Sequence, residues 1–167
     1  MISTEPGIEK NPVEFHLARM TEHDLLEVVE IEEQTGLSRW GWEAYHTELQ
    51  RPAASLMLVA RLNRTVGPDQ KWQLAGFVAA RIGGEELHIN NIAVRRVYRH
   101  QGIGGALLSA ALEEAALLGC VEALLEVRVT NEAAQKLYYK YGFRLVARRA
   151  NYYTQPPEDA LVMKARL

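Results

Sequence analysis

Residues 98–106, Tyr-Arg-His-Gln-Gly-Ile-Gly-Gly-Ala, place three glycines between an apolar stretch (88–94) and a helical pattern that begins at Gly102. Glycines at a helix start let the backbone approach a ligand closely and leave the first N–H groups without partners. Those donors, with the positive end of the helix dipole, make an anion site suited to a pyrophosphate. Arg95, Arg96, Arg99 and His100 stand just before it and can add charge-assisted contacts to phosphates. A nucleotide-hydrolysing loop needs Gly-Lys-Ser/Thr, but Gly104 is followed by Gly105 and Ala106. A dinucleotide fingerprint needs a small residue where Leu107 stands. Neither pattern is met. Close packing of a helix start would use the same glycines, so the loop alone leaves two readings.

Proton chemistry has fewer candidates. In residues 121–129, Leu125, Val127 and Val129 share one face of a strand, which puts Glu126 and Arg128 on the other. A carboxylate there either takes a proton or pairs with a neighbour across the sheet. Tyr138, in the helical segment that follows, keeps its proton at neutral pH and is either an acid or a core aromatic, with Tyr139 and Tyr141 as rivals. Asn131 opens that segment as a helix cap. The single cysteine, Cys120, cannot form an internal disulfide and sits at a helix-to-strand turn, where packing accounts for it. Five histidines, at 16, 23, 46, 88 and 100, lack the spacing of a zinc site, so no metal is expected.

These groups need a scaffold. Residues 13–19 alternate as a first strand, and Thr21 with Asp24 starts a helix whose stripe is Leu25, Val28, Val29 and Ile31 and whose stop is Gly36. An aromatic segment with Trp40 opens a second helix near Trp42. Strands are expected at 56–62, 74–82 and 85–94, joined by a long loop at 63–71 and a tight turn at Gly83-Gly84. Helix 102–118, strand 121–129, helix 131–141 and strands 142–149 and 160–166 complete the chain. The class is α+β, a mixed, largely antiparallel sheet of six to seven strands flanked by about four helices. Residues 1–12 read as a flexible lead-in and 13–167 as a single domain.

Composition narrows the function. At 167 residues with 48% hydrophobic and 24% charged side chains, the chain is an ordinary globular one. Nineteen Lys and Arg against twenty-one Asp and Glu give a net charge of −2, without the broad basic field of a nucleic-acid binder. The polar start is no signal peptide, and no run of about 18 apolar residues would span a membrane. A cytoplasmic protein is expected.

The segment Asn91-Ile-Ala-Val94 followed by Arg99-His-Gln-Gly-Ile-Gly104 resembles the GNAT superfamily of acetyl-CoA-dependent N-acetyltransferases. Further runs, Leu125-Glu-Val-Arg-Val-Thr-Asn131, Ala134-Gln-Lys-Leu-Tyr-Tyr-Lys-Tyr-Gly-Phe143, Arg149-Ala-Asn-Tyr-Tyr153 and Glu158-Asp-Ala-Leu-Val-Met163, are similar to its RimI type, the bacterial ribosomal-protein-alanine acetyltransferases. Together they cover about half the chain in the family's order. The Arg-Asn-Tyr-Tyr run carries an inserted Ala150, and Ser38-Arg39 precede Trp40 where the family often has proline.

The resemblance implies the GNAT fold and direct transfer of acetyl from acetyl-CoA, leaving CoA, to the N-terminal alanine of a small-subunit ribosomal protein. It implies Glu126 as base and Tyr138 as the acid for the thiolate. Ile92, Ala93, Val94, Arg99, His100, Gln101, Gly102, Ile103, Gly104, Gly105 and Asn131 would bind the cofactor, the 91–94 backbone lying beside the pantetheine arm. Trp40, Tyr152 and Tyr153 would shape the peptide groove. Acetylation of small amines or other protein N-termini, or CoA binding without catalysis, are the alternatives. No nucleic acid and no membrane is expected as a partner.

Overall fold

A computed structural model describes residues 12–37, 39–63 and 72–167. Nearly all of the expected lead-in, Ser38 and the loop at 64–71 lie outside the described residues. The first strand, β1 (Phe15–Arg19), starts two residues later than the alternation suggests. A single 3-10 turn over Glu22–Asp24 then precedes α1 (Leu25–Thr35). The turn comes first because the Asp24 carboxylate folds back to accept from the Thr21 N–H and hydroxyl, at 2.8 and 3.0 Å. Leu25, Val28 and Ile31 form the buried stripe of α1, and Gly36 ends it at a φ of +69°. Next come α2 (Gly41–Leu49) and a meander of β2 (Ser55–Leu62), β3 (Leu74–Gly83) and β4 (Glu86–Val94).

The second half runs α3 (Ile103–Leu117), β5 (Glu122–Arg128), α4 (Glu132–Lys140), β6 (Arg144–Thr154) and β7 (Pro157–Arg166). All seven strands form one sheet in the order β1-β2-β3-β4-β5-β7-β6. Only β4 and β5 pair in parallel, which requires the α3 crossover between them. On one face α3 buries Ile103, Leu107 and Leu108 against β2, β3 and β4, each contributing roughly 1.5–3 kcal/mol. Cys120 joins that core as a buried free thiol. On the other face α1 and α2 cover Met57, Val59, Phe77 and Ala93.

The last two strands correct the sequence reading. β6 extends to Thr154 and β7 begins at Pro157, where expectation ended one at 149 and began the other at 160. Residues 150–152 stand opposite Asp159 alone, since the register passes from Arg149↔Ala160 to Tyr153↔Glu158. Asn151, at a φ of +49°, donates its N–H to the Asp159 carboxylate at 2.8 Å. The insertion at Ala150 is thus absorbed as a bulge that interrupts the alternation, while the strand continues past it.

Candidate active site

The site lies where the sheet comes apart. β4 and β5 pair from Glu86↔Glu122 to Ile89↔Leu125 and no further, so beyond Ile89 the β4 edge facing β5 has free backbone donors and acceptors. At the same point β4 bulges. Ile89 faces Ala80 and Asn91 faces Ala79, which leaves Asn90 without a partner on β3. The bulge turns Asn91 toward the helices, where its Nδ2 donates to the Tyr45 hydroxyl at 2.8 Å and to Glu32 at 3.3 Å. Glu32 is itself buried and accepts from the N–H groups of Trp40 and Gly41, at 2.7 and 3.1 Å, fastening the start of α2 to β4. A cleft of about 120 Å³ opens here, lined among others by Gly36, Asn90, Glu126, Asn131, Tyr138 and Tyr153.

Glu126 projects from β5 on the face opposite its buried neighbours Leu125 and Val127. Its side chain is only 7% exposed and is held by two groups. His88 Nε2 on β4 lies 2.6 Å from Oε2, and Arg149 Nη1 on β6 lies 3.1 Å from Oε1. The His88 hydrogen bond, reinforced by the charge of Arg149, holds the Glu126 carboxyl below the usual carboxylate range despite burial. An ionised carboxylate only accepts, so His88 Nε2 carries the proton of that bond.

Tyr138 sits on α4 with its ring in the core beside Phe143, 5.8 Å between centroids, and burial pushes its hydroxyl pKa up. It keeps its proton throughout the neutral range. Of its rivals, Tyr139 is exposed, and Tyr141 packs against α3, where a Cβ on Gly105 would meet its hydroxyl at 2.7 Å. Tyr153 lines the cleft edge-on to Tyr152 and under the Arg128 guanidinium, 4.1 Å from the ring centre. Burial, with Tyr152 beside it, pushes the Tyr153 hydroxyl up to about 12. Trp40 is not brought to the cleft lining: it packs on Tyr45 and under Arg81.

The glycine loop sits at the open end of the splay. Gly102 caps α3 at a φ of +81°, and no side chain caps the helix, which leaves the N–H groups of Ile103, Gly104 and Gly105 without an intrahelical partner. Ile92 and Val94 pack partly buried against the core on the α3 side of the sheet, and Ala93 is buried on the other face. Not every predicted contact side chain is free. Arg99 Nε donates to the Val94 carbonyl at 3.1 Å, and the Gln101 side-chain oxygen accepts from the Val13 N–H at 2.9 Å. Asn131 caps α4 by accepting from the Ala134 N–H at 3.2 Å. His100 is exposed and adopts a φ of +63°. An open strand edge leading to an uncapped helix start is a shape into which a pantetheine arm and its pyrophosphate fit.

Sequence reasoning missed His88, Arg149 and Asn90. The first two meet Glu126 only through strand pairing, which no local pattern encodes. Asn90 carried a signal: the apolar positions of β4 change parity, from Leu87 and Ile89 to Ile92 and Val94, across the two asparagines. Among the described residues no cluster of metal-ligating side chains occurs, and no helix is long and apolar enough to cross a membrane.

The acetyltransferase (GNAT) family pattern matches residues 25–143. The chain is 35% identical over 141 residues to a Bacillus subtilis protein provisionally named ribosomal protein bS18-alanine N-acetyltransferase, covering 84% of this chain and 87% of the relative. It is 38% identical over 96 residues to the Escherichia coli (strain K12) ribosomal protein bS18-alanine N-acetyltransferase, covering 56% of this chain and 65% of the relative. The crystal structure of the E. coli ribosomal-protein-S18-alanine N-acetyltransferase superposes with a TM-score of 0.77 at 28% identity, covering 92% of this chain and 94% of that one.

Proposed function

Because the chain belongs to the acetyltransferase (GNAT) family, whose acyl donor is acetyl-CoA, we propose that it acetylates the N-terminal alanine of a small-subunit ribosomal protein, the bS18 type named for its relatives. The observation that carries the proposal is the Glu126 carboxylate, clamped by His88 and Arg149 at the mouth of the β4–β5 splay.

Acetyl-CoA supplies a thioester carbon open to attack and a thiolate that leaves. The Ile103, Gly104 and Gly105 N–H groups, with the α3 dipole, suit its pyrophosphate. The β4 backbone beyond Asn90 offers a strand edge to the pantetheine arm and an N–H to polarise the carbonyl; losing one such donor typically costs about 3–4 kcal/mol. A free α-amine has a pKa of about 7.7–8.0, so much of it arrives protonated. Glu126 attracts that ammonium, which releases one proton to solvent before the neutral amine attacks. Glu126 then accepts the second proton from the nitrogen as it bonds to the carbonyl carbon. A nitrogen bonding to a carbonyl carbon becomes far more acidic than the free amine, so even a weakly basic carboxylate suffices. Tyr138 holds its proton until the thiolate needs it.

Tyr153 lines the β6 side of the acceptor groove, with Tyr152 edge-on to it, and residues 36–37 line the groove as well. The single seven-stranded sheet supports reading residues 13–167 as one catalytic domain. A ribosomal acceptor supports a cytoplasmic location.

Incubation with acetyl-CoA and peptides differing in their first three residues, read by mass spectrometry, tests the proposal. Acetyl on the α-amine of an alanine-initiated peptide is the expected result. Modification of lysine side chains or small amines alone would refute the substrate.

A further inference from the structure

We propose that the Asn90 side-chain carbonyl binds the acceptor's α-amine directly, holding one of its N–H bonds while Glu126 takes another. This inference deepens the reading of the cleft as an α-amine acetylation site and rests on it.

Among the described residues two buried side-chain polar atoms lack a hydrogen-bond partner: Asn90 Oδ1 and Arg95 Nη1. Arg95 is accounted for by its place in the core, where its other nitrogens reach the Leu74 carbonyl, Glu27 and Glu30. Asn90 has no such account. Burying an amide oxygen without a donor costs free energy, and native proteins rarely leave one so. Its neighbour in the same bulge shows the contrast, since Asn91 is satisfied by Tyr45 and Glu32. One asparagine ties the bulge to the helices; the other is left over, and it lines the cleft with Glu126 and Tyr138.

The position suits an amine. His88 precedes Asn90 by two residues on the same strand and holds Glu126, and Asn90 and Glu126 line the same cleft. A neutral amine has two N–H bonds and one lone pair. With one N–H donated to Asn90 Oδ1 and the other toward Glu126, the lone pair has a single direction left, and that fixed aim is what attack on a carbonyl carbon requires. A hydrocarbon side chain at 90 would hold neither the N–H nor that orientation.

The test compares wild type with Asn90→Leu and Asn90→Ala on an alanine-initiated peptide, and on the same peptide with the α-amine replaced by hydrogen, used as a competitive inhibitor. The expected result is a fall in kcat/KM of about 10-fold or more for the free-amine peptide. The inhibition constant of the deaminated peptide and the CoA affinity measured by calorimetry stay at wild-type values. Unchanged kcat/KM in the variants, or equal weakening of both peptides, overturns the inference. If Asn90→Leu loses CoA binding, Asn90→Ala is judged by the same criteria. Wild type failing to acetylate any α-amine would instead overturn the function proposed above, and this inference with it.

Discussion

Arg149 and Glu126 stand on strands that are not neighbours, β6 and β5 with β7 between them, yet Arg149 Nη1 lies 3.1 Å from Glu126 Oε1. His88 approaches the other oxygen from β4. The carboxylate is therefore gripped from both sides of its strand.

Removing one grip changes how stability responds to acid. Glu126 has a folded pKa below its unfolded value, so its contribution is full above the ordinary carboxylate range and is lost as pH falls through the depressed value. In Arg149→Met the depression shrinks, and the loss of stability as pH falls below the ordinary carboxylate range becomes shallower than in wild type. Urea titrations across that range measure the difference. Arg149 is half exposed, so solvent screening keeps the effect small at neutral pH.

Glu126→Gln keeps the shape of the side chain and discards its charge. Proton acceptance by a positioned base is typically worth about 10²–10⁴-fold, so kcat on an alanine-initiated peptide falls within that span. CoA binding by calorimetry is unchanged, because the helix start and strand edge do not involve this residue.

Tyr138 separates chemistry from packing. Tyr138→Phe retains the ring beside Phe143 and lowers kcat while leaving the melting temperature within a few degrees. Tyr138→Ala empties a buried site and costs about 3–5 kcal/mol of stability. Thermal melts and steady-state rates on both variants distinguish the two losses.

Gly76 on β3 faces the part of β4 assigned to the cofactor. A Cβ there would lie 2.5 Å from the Ala93 carbonyl oxygen and 3.1 Å from the Val94 Cα, both backbone. Gly76→Ala must push β4 outward, so we expect about 1–3 kcal/mol of destabilisation and a raised KM for acetyl-CoA. A melt paired with a cofactor titration checks both.

The sequence carries what is written locally. The α1 stripe, the glycine start of α3, the Asn131 cap and the face that bears Glu126 all follow from spacing within a few residues. What it hides depends on which strand lies beside which. His88 reads as one of five isolated histidines until the parallel β4–β5 pairing brings it to Glu126. Residues 150–159 read as loop because two prolines and a bulge break their alternation, although they continue a strand pair. Trp40 reads as a groove residue, yet the Glu32 carboxylate fastens its backbone and Tyr45 and Arg81 enclose its ring.

The outermost strand, β6, leaves one row of amides and carbonyls open to any second sheet that drifts alongside. Leu145 and Val146 on it are about half exposed, an invitation to fibre-like stacking of copies. Irregular register at Val146 and at residues 150–152, with Arg144 and Arg148 exposed, spoils the flat template such stacking needs. Excising Ala150 would shorten the bulge to two residues opposite Asp159 and flatten this border. Turbidity of the shortened protein on concentration would rise, because the bulge helps keep neighbouring molecules apart.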